Sequence, residues 1–290
     1  MAETPKLSVV MPVYNERATI EEILLRVQAV SLEKEIIIVD DCSTDGTRDF
    51  LAGVDRNARE GGGMVLPRAG KSLPTGNIRV CFQTKNLGKG AALRMGFAQA
   101  RGELVVIQDA DLEYDPEDFH KLIEPIDRGV ADVVYGSRFM GGPHRVLFFW
   151  HFVGNKLLSV LSGMLTNLNL SDVWTCYKAF KREVVDGLVL EEDRFGFEQE
   201  ITIRIAKQQW RIYEVPISYY GRTYAEGKKI TWKDGLHALW CLLYYSVKAS
   251  RAPARREAAG HGVPVPSAGP ARHQHVDPAA VAPATARETE

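Results

Sequence analysis

The chain of 290 residues lacks the marks of several common protein classes. Its four cysteines, Cys42, Cys81, Cys176 and Cys241, form no CxxC pair and no ladder of close spacings. That spacing suggests neither a zinc knuckle nor a disulfide framework, and free thiols are expected. Basic residues are not in excess: 36 Lys and Arg face 37 Asp and Glu, for a net charge of −1. No global field therefore recruits nucleic acid, and anion binding must come from locally placed Lys and Arg. Met1 to Lys6 shows no basic segment followed by an apolar one, so no signal peptide is expected. The longest apolar stretch, Val146 to Leu165, is interrupted by His151, Asn155 and Lys156. These are costly at a bilayer centre, so a surface-lying or core-buried helix is expected rather than a span. No GxGxxG turn follows the first apolar run, where Pro12-Val-Tyr14-Asn15-Glu16 stands instead. This excludes a dinucleotide-binding oxidoreductase.

What is present is an alternation of strand and helix patterns. Residues 6–11 and 35–39 are short runs rich in Val and Ile, and between them Ile20, Ile23, Leu24 and Val27 make one helical face. Thr19 to Glu22 has capping-box spacing ahead of that face. The pattern continues with strands at 78–82, 103–108 and 132–135 and a helix over 90–100. Strand, helix, strand at this spacing predicts right-handed βαβ units and an α/β fold with a mostly parallel sheet. Residues 57–77, with Gly61-Gly62-Gly63 and two prolines, read as a flexible surface insertion. From Arg251 to Glu290 the chain is Ala, Pro, Arg and His without apolar periodicity, and disorder is expected there. Gly235 to Val247 alternates Leu, Trp and Tyr with few charges, which suits either a core helix or an amphipathic membrane-surface helix.

Ligands of open parallel sheets bind outside the carboxyl ends of the strands. Acidic residues follow three of the strands here: Glu16 after the first, Asp40-Asp41 and Asp45 after the second, and Asp109-Ala110-Asp111 after the fourth. Such a cluster repels a bare phosphate and makes sense with a cation, or with sugar and base hydroxyls that donate to it. An Asp-x-Asp pair at a strand end can place oxygens on one Mg²⁺ or Mn²⁺, a hard ion that takes one or two carboxylates plus substrate phosphates. That ion would neutralise a leaving diphosphate. A lone Asp-x-Asp is common as a cap or solvated turn, and Asp45-Gly46-Thr47 reads as such a turn. Three acidic clusters at successive strand ends are harder to dismiss.

PVYNE, VDDCSTDGT, NLGKGAALRMG, DADLEYDP and YGSRF occur in this order from about Lys6 to Trp240. Together they resemble family 2 glycosyltransferases of the GT-A fold, above all the polyprenyl-phosphate glycosyltransferases that include dolichol-phosphate mannose synthase. The resemblance implies a catalytic domain over 1–234, an amphipathic helix over 235–250 and a tail over 251–290. It places Pro12, Tyr14, Asn15 and Glu16 in the nucleotide pocket, with Val39 and Asp41 on the base or ribose. Asp109, Ala110 and Asp111 would hold the diphosphate through the metal, with Glu113 where the family often has Gln as a second ligand. Arg138 would reach phosphate with its planar fork. Arg222, followed by Lys228 and Lys229, resembles the basic loop that closes over the donor diphosphate and acceptor phosphate.

Asn155-Lys156 and Asp172 to Lys178 resemble the acceptor side of bacterial members. Glu198 and Glu200 stand where many members keep a general base, although a polyprenyl phosphate arrives as an anion and needs none. Positioning of substrate and a purely structural role remain open for both. Several members carry transmembrane helices after the catalytic domain, whereas a polar tail follows here. Lipid contact would then fall to 146–165 and 235–247, on a peripheral protein at the cytoplasmic face of the membrane. The implied reaction is inverting transfer of a hexose from a UDP- or GDP-linked sugar to a polyprenyl phosphate. A glycan, protein or small-molecule acceptor is the alternative.

Overall fold

The computed structural model describes residues 4–141, 143–146, 148–223 and 232–248. In chain order the elements are β1 (Leu7–Val13), α1 (Ile20–Ala29), β2 (Lys34–Asp40), α2 (Thr47–Arg59), β3 (Gly63–Val65), β4 (Ser72–Pro74), β5 (Ile78–Phe82), α3 (Lys89–Gln99) and β6 (Leu104–Ile107). There follow α4 (Phe119–Asp127), β7 (Val133–Ser137), α5 (Phe149–Thr166), β8 (Lys178–Lys181), α6 (Arg182–Asp186), α7 (Phe197–Lys207), β9 (Ile212–Pro216) and α8 (Trp232–Lys248).

Seven strands form one sheet in the order β5-β2-β1-β6-β8-β7-β9. β5, β2, β1 and β6 are mutually parallel, and β8 runs antiparallel between β6 and β7. The central strands are covered on both faces, which is why β1 and β2 read as unbroken apolar runs rather than as an alternation. One core layer sets Ile20, Ile23, Leu24 and Val27 of α1 against Val9, Met11, Ile36 and Ile38. The opposite layer packs Leu93 and Phe97 of α3 and Phe197 and Ile201 of α7 against Val10, Ile37 and Val105. The chain leaves β1 toward β2 on one side and returns to β6 on the other. The topological switch point of the sheet therefore lies at the carboxyl ends of these three strands.

Two local expectations are corrected. The capping box does not form, because Thr19 Oγ1 donates to the Glu16 carboxylate (2.9 Å) instead of accepting from the helix, and Glu22 pairs with Arg26 (2.8 Å). Residues 57–77 are not a structureless insertion either. α2 continues to Arg59, and β3 and β4 pair as an antiparallel ribbon. Leu66 and Leu73 are buried beneath α1, and the Glu21 carboxylate accepts from the Arg68 and Ala69 amides at 2.8 and 3.0 Å.

Both helices left open by the sequence lie at the surface. Phe149, Trp150, Phe152, Leu157, Val160 and Met164 of α5 face outward. α8 splits its apolar residues: Ala238, Cys241, Leu242 and Tyr245 face inward, while Leu236, Trp240, Leu243 and Val247 face out. Among the described residues no helix is long and apolar enough to cross a membrane. The expected tail over 251–290 lies outside the described residues.

Candidate active site

The three strand ends of the switch point share an uncommon backbone. Asn15, Cys42 and Leu112, one after each of β1, β2 and β6, have φ of 52°, 62° and 64°. Non-glycine residues pay roughly 1 kcal/mol or more for this left-handed region, and such costs gather at functional sites. Tertiary bonds hold the turns. The Asn15 amide donates to Ser43 Oγ (3.0 Å) and the Thr44 amide to Asn15 Oδ1 (2.8 Å). The Glu16 amide donates to Thr47 Oγ1 (3.1 Å), and Asp45 takes the Thr47 amide and hydroxyl as the expected turn. The PVYNE and DDCSTDGT segments are thereby zipped into one wall.

Asp41 extends that wall to α3, its two carboxylate oxygens accepting the Leu87 and Gly88 amides at 2.7 and 2.8 Å. Burial and the neighbouring Asp40 charge nevertheless raise its pKa above the usual carboxylate value. Tyr14 stands partly exposed on the rim. Val39 does not: it is fully enclosed in the core under α3, so its side chain cannot line a base pocket, and Asp41 is the β2 exit residue that can.

The acidic residues meet beyond β6, each with a cation already among them. Lys89 Nζ lies 2.7 Å from Asp109; burial opposes its charge, but the Asp109 carboxylate prevails and raises the lysine's pKa well above its ordinary value. Arg222 spreads its guanidinium over three acids: Asp111 Oδ2 at 2.8 Å, Glu113 Oε1 at 3.3 Å and Glu16 Oε2 at 3.5 Å. Its backbone amide donates to Glu113 as well, and the Tyr219 hydroxyl donates to the other Glu113 oxygen (3.1 Å). Burial, then repulsion from Asp109 and Glu113, pushes the Asp111 carboxyl up to about 7. The site holds more buried negative charge than its two cations balance.

Other expected residues serve elsewhere. Arg138 gives its fork to Asp172 (2.7 and 2.8 Å) and stacks over Tyr219, so it braces the segment 171–178 instead of opening to solvent. Glu198 is buried against Lys178, with Lys89 3.8 Å away, which joins it to the Asp109 side of the site. Glu200 is not brought in. Its carboxylate accepts the Glu191 and Glu192 amides (3.0 and 2.7 Å) and pairs with Arg204, a structural post. Lys156 on α5 reaches the Ser171 carbonyl (3.3 Å), beside Asp172. Lys228 and Lys229 lie outside the described residues.

Comparison with known proteins bears on this geometry. Residues 8–189 match the family model described as glycosyl transferase family 2. The chain belongs to that family. A dolichol-phosphate mannosyltransferase from Pyrococcus furiosus is 32% identical over 77% of this chain and 59% of its own length. A polyprenol monophosphomannose synthase from Mycolicibacterium smegmatis is 29% identical over 76% of this chain and 79% of its own. The chain thus spans less than two thirds of the length of the first of these and more of the second. Its fold also matches glucosyl-3-phosphoglycerate synthase from Mycobacterium tuberculosis, solved with Mn²⁺, uridine diphosphate and phosphoglyceric acid. That match has a TM-score of 0.60 at 20% identity and covers 83% of this chain and 78% of the other, which identifies the GT-A fold.

The donor set of the site fits a divalent cation. Asp109 and Asp111 offer hard carboxylate oxygens in a half-buried, electronegative setting, with Glu113 beside them. Sequence reasoning missed two partners of this site, Lys89 and Tyr219, and it named Lys178 only as the end of the acceptor-side segment. Lys89 was visible in NLGKG as the one cation of that motif, whereas the Lys178–Glu198 pair carried no local signal.

Proposed function

We propose that this glycosyltransferase transfers a hexose, with inversion, from a nucleoside diphosphate sugar to a polyprenyl phosphate presented at a membrane surface. The observation that carries the proposal is the outward apolar face of α5, attached through Lys156 to the segment 171–178 beside the catalytic rim. An apolar helix face beside a site that offers Arg222 to a phosphate suits an acceptor with a lipid tail and a phosphate head. The relatives named for dolichol and polyprenol monophosphate support the same acceptor class.

In this reading the Pro12–Glu16 and Asp41 walls receive the nucleoside. Asp109 and Asp111, with Glu113 beside them, would hold Mg²⁺ or Mn²⁺, which when bound supplies charge neutralisation to the departing diphosphate. Arg222, charged and within reach of three acids, exchanges carboxylates for phosphate oxygens as the anionic substrates enter. Glu198 is buried with Oε2 held by Lys178 and Oε1 3.8 Å from Lys89 Nζ, and an acceptor phosphate that arrives ionised requires no base. Glu198 then positions Lys178 and Lys89 behind Asp109.

The test crosses UDP- and GDP-hexoses with a short polyprenyl phosphate in vesicles, with Mn²⁺ or Mg²⁺. Glycosylated lipid from one donor is expected. Donor turnover onto a water-soluble acceptor, with no lipid product, would transfer the assignment to a glycan, protein or small-molecule acceptor.

A further inference from the structure

Away from the catalytic rim, α8 and the loop leading into α7 bring three different metal-ligating side chains together. Glu192, His237 and Cys241 have ligand atoms that all lie within 4.8 Å of one another, and this is the one such cluster among the described residues. Cys241 Sγ is 3.4 Å from Glu192 Oε2 and 3.7 Å from His237 Nε2, and His237 Nε2 is 3.9 Å from Glu192 Oε1. Tetrahedral zinc with bonds of about 2.0–2.3 Å to N, O and S sets its ligand atoms about 3.4–3.6 Å apart. The nearest approaches involve both Glu192 oxygens, and the three ligand atoms lie within 4.8 Å of one another, so side-chain movement on the order of an ångström lets them share one ion. We propose that Glu192, His237 and Cys241 bind a Zn²⁺ ion, with water completing the coordination, as a second metal site distinct from Asp109 and Asp111.

The surroundings are built for it. Gly196 makes the approach possible, since a Cβ there would collide with Cys241 Sγ and press on the Glu192 carboxylate. Glu192 is fixed at its backbone: its amide donates to Glu200 (2.7 Å) and its carbonyl accepts from Arg94 (2.6 Å). His237 and Cys241 are four residues apart and share one face of α8, and Trp240 stacks on the imidazole (5.8 Å, 18°). Cys241 is buried, while the His237 side chain is 43% exposed, so an ion has a path in. A thiolate and a carboxylate cancel the charge of Zn²⁺ exactly where burial demands it; the thiol proton leaves to solvent on binding.

Ligand chemistry separates the two sites. The oxygen-only set at the rim favours a hard ion, whereas a sulfur, a nitrogen and an oxygen favour zinc. Bound zinc would pin α8, with its outward apolar face, to residues 191–196. That loop meets the first turn of α3 through the Ala91 amide and the Asp193 carbonyl (3.0 Å), two positions from Lys89. The cysteine spacing in sequence gave no hint of this, because the ligands come from a loop and a helix 45 residues apart and only one is a cysteine.

The experiment uses the full chain, stripped with EDTA, dialysed, and held in excess Mg²⁺ to occupy the oxygen site. Co²⁺ is titrated alone, and Zn²⁺ is then added. One equivalent of Co²⁺ should produce thiolate charge-transfer absorption in the near ultraviolet, with tetrahedral bands in the visible that Zn²⁺ abolishes. His237→Ala and Cys241→Ser should each weaken binding at least tenfold, while Cys176→Ser and Asp111→Asn leave the spectrum intact. Zn²⁺ should also raise the melting temperature of the native chain and not that of His237→Ala. If Cys241→Ser fails to fold, His237→Ala decides, because that ring sits at the surface. Absence of a thiolate band in the native chain overturns the proposal. So does a band that survives His237→Ala, or one that disappears in Cys176→Ser.

Discussion

Arg222 Nη2 lies 2.8 Å from Asp111 Oδ2, and the same guanidinium faces Glu113 and Glu16. An arginine late in the chain thus closes onto acids that follow the first and fourth strands of its parallel half. Arg222→Gln is expected to lower kcat/KM by about 10²-fold, the scale on which one preorganised charged donor acts at a transition state. Steady-state kinetics with the donor varied, alongside circular dichroism to show an intact fold, would check it. Native kinetics in the variant would remove Arg222 from the substrate site.

Asp111→Asn should abolish turnover, by about 10³-fold or more, with little change in melting temperature, and EDTA should do the same to the native chain. Metal-replete assays before and after chelation give the answer. Activity that persists in EDTA would remove the metal from the reaction.

Glu198 and Lys178 form a pair enclosed on all sides. Removing one partner strands a buried charge, at a cost of about 3–5 kcal/mol, whereas replacing both with apolar residues costs far less. Glu198→Leu should therefore unfold at clearly lower urea, and Lys178→Met with Glu198→Leu should recover most of the loss. Equal destabilisation of the single and double variants would mean that the charge pairing is not what matters.

Trp150 and Met164 are 78% and 76% exposed on α5. Trp150→Glu with Met164→Glu should leave the melting temperature unchanged and weaken co-sedimentation with anionic vesicles at least tenfold. Undiminished sedimentation would show that this face does not meet lipid.

Asp132 bridges Arg211 (2.7 Å) and Lys181 (2.9 Å) at the foot of β7. Burial opposes its ionisation, but the hydrogen bonds from Arg211 and Lys181 prevail and hold its pKa far below the ordinary 3.8. A carboxylate depressed in the folded state stabilises above its unfolded pKa, and that contribution is lost as pH falls through the folded one. Stability of the native chain should fall steeply below about pH 4, and Asp132→Asn should flatten that acid limb. Superimposable pH profiles would exclude the linkage.

The parallel half of the sheet was legible because β1, β2 and β6 are buried on both faces and so must be written in Val, Ile and Leu. Its acids were legible because they sit next to those runs. β8 was not, since Lys-Ala-Phe-Lys is short and carries two lysines whose partners, Glu198 and Asp132, are distant in sequence. The β3–β4 ribbon hid behind its glycines and prolines, because only Leu66 and Leu73 of the segment are buried in the core. Arg138 and Glu200 had the right residue types for a site, yet their charges are taken by Asp172 and by the loop at 191–192. Residue type offers a charge, and only tertiary contact reveals how that charge is used.

The antiparallel strand β8 also dictates an order of assembly. It fills the space between β6 and β7, although β7 precedes it in the chain by some 40 residues. As the polypeptide leaves the ribosome, β1, β2, β5 and β6 can pair with one another and condense with α1 and α3. β7 has no strand to join until Lys178–Lys181 emerges, and β9 none until β7 is seated. The nucleotide-facing half can therefore collapse early through near neighbours, while the half bearing segment 171–178 waits for a late insertion along the open edge of β6.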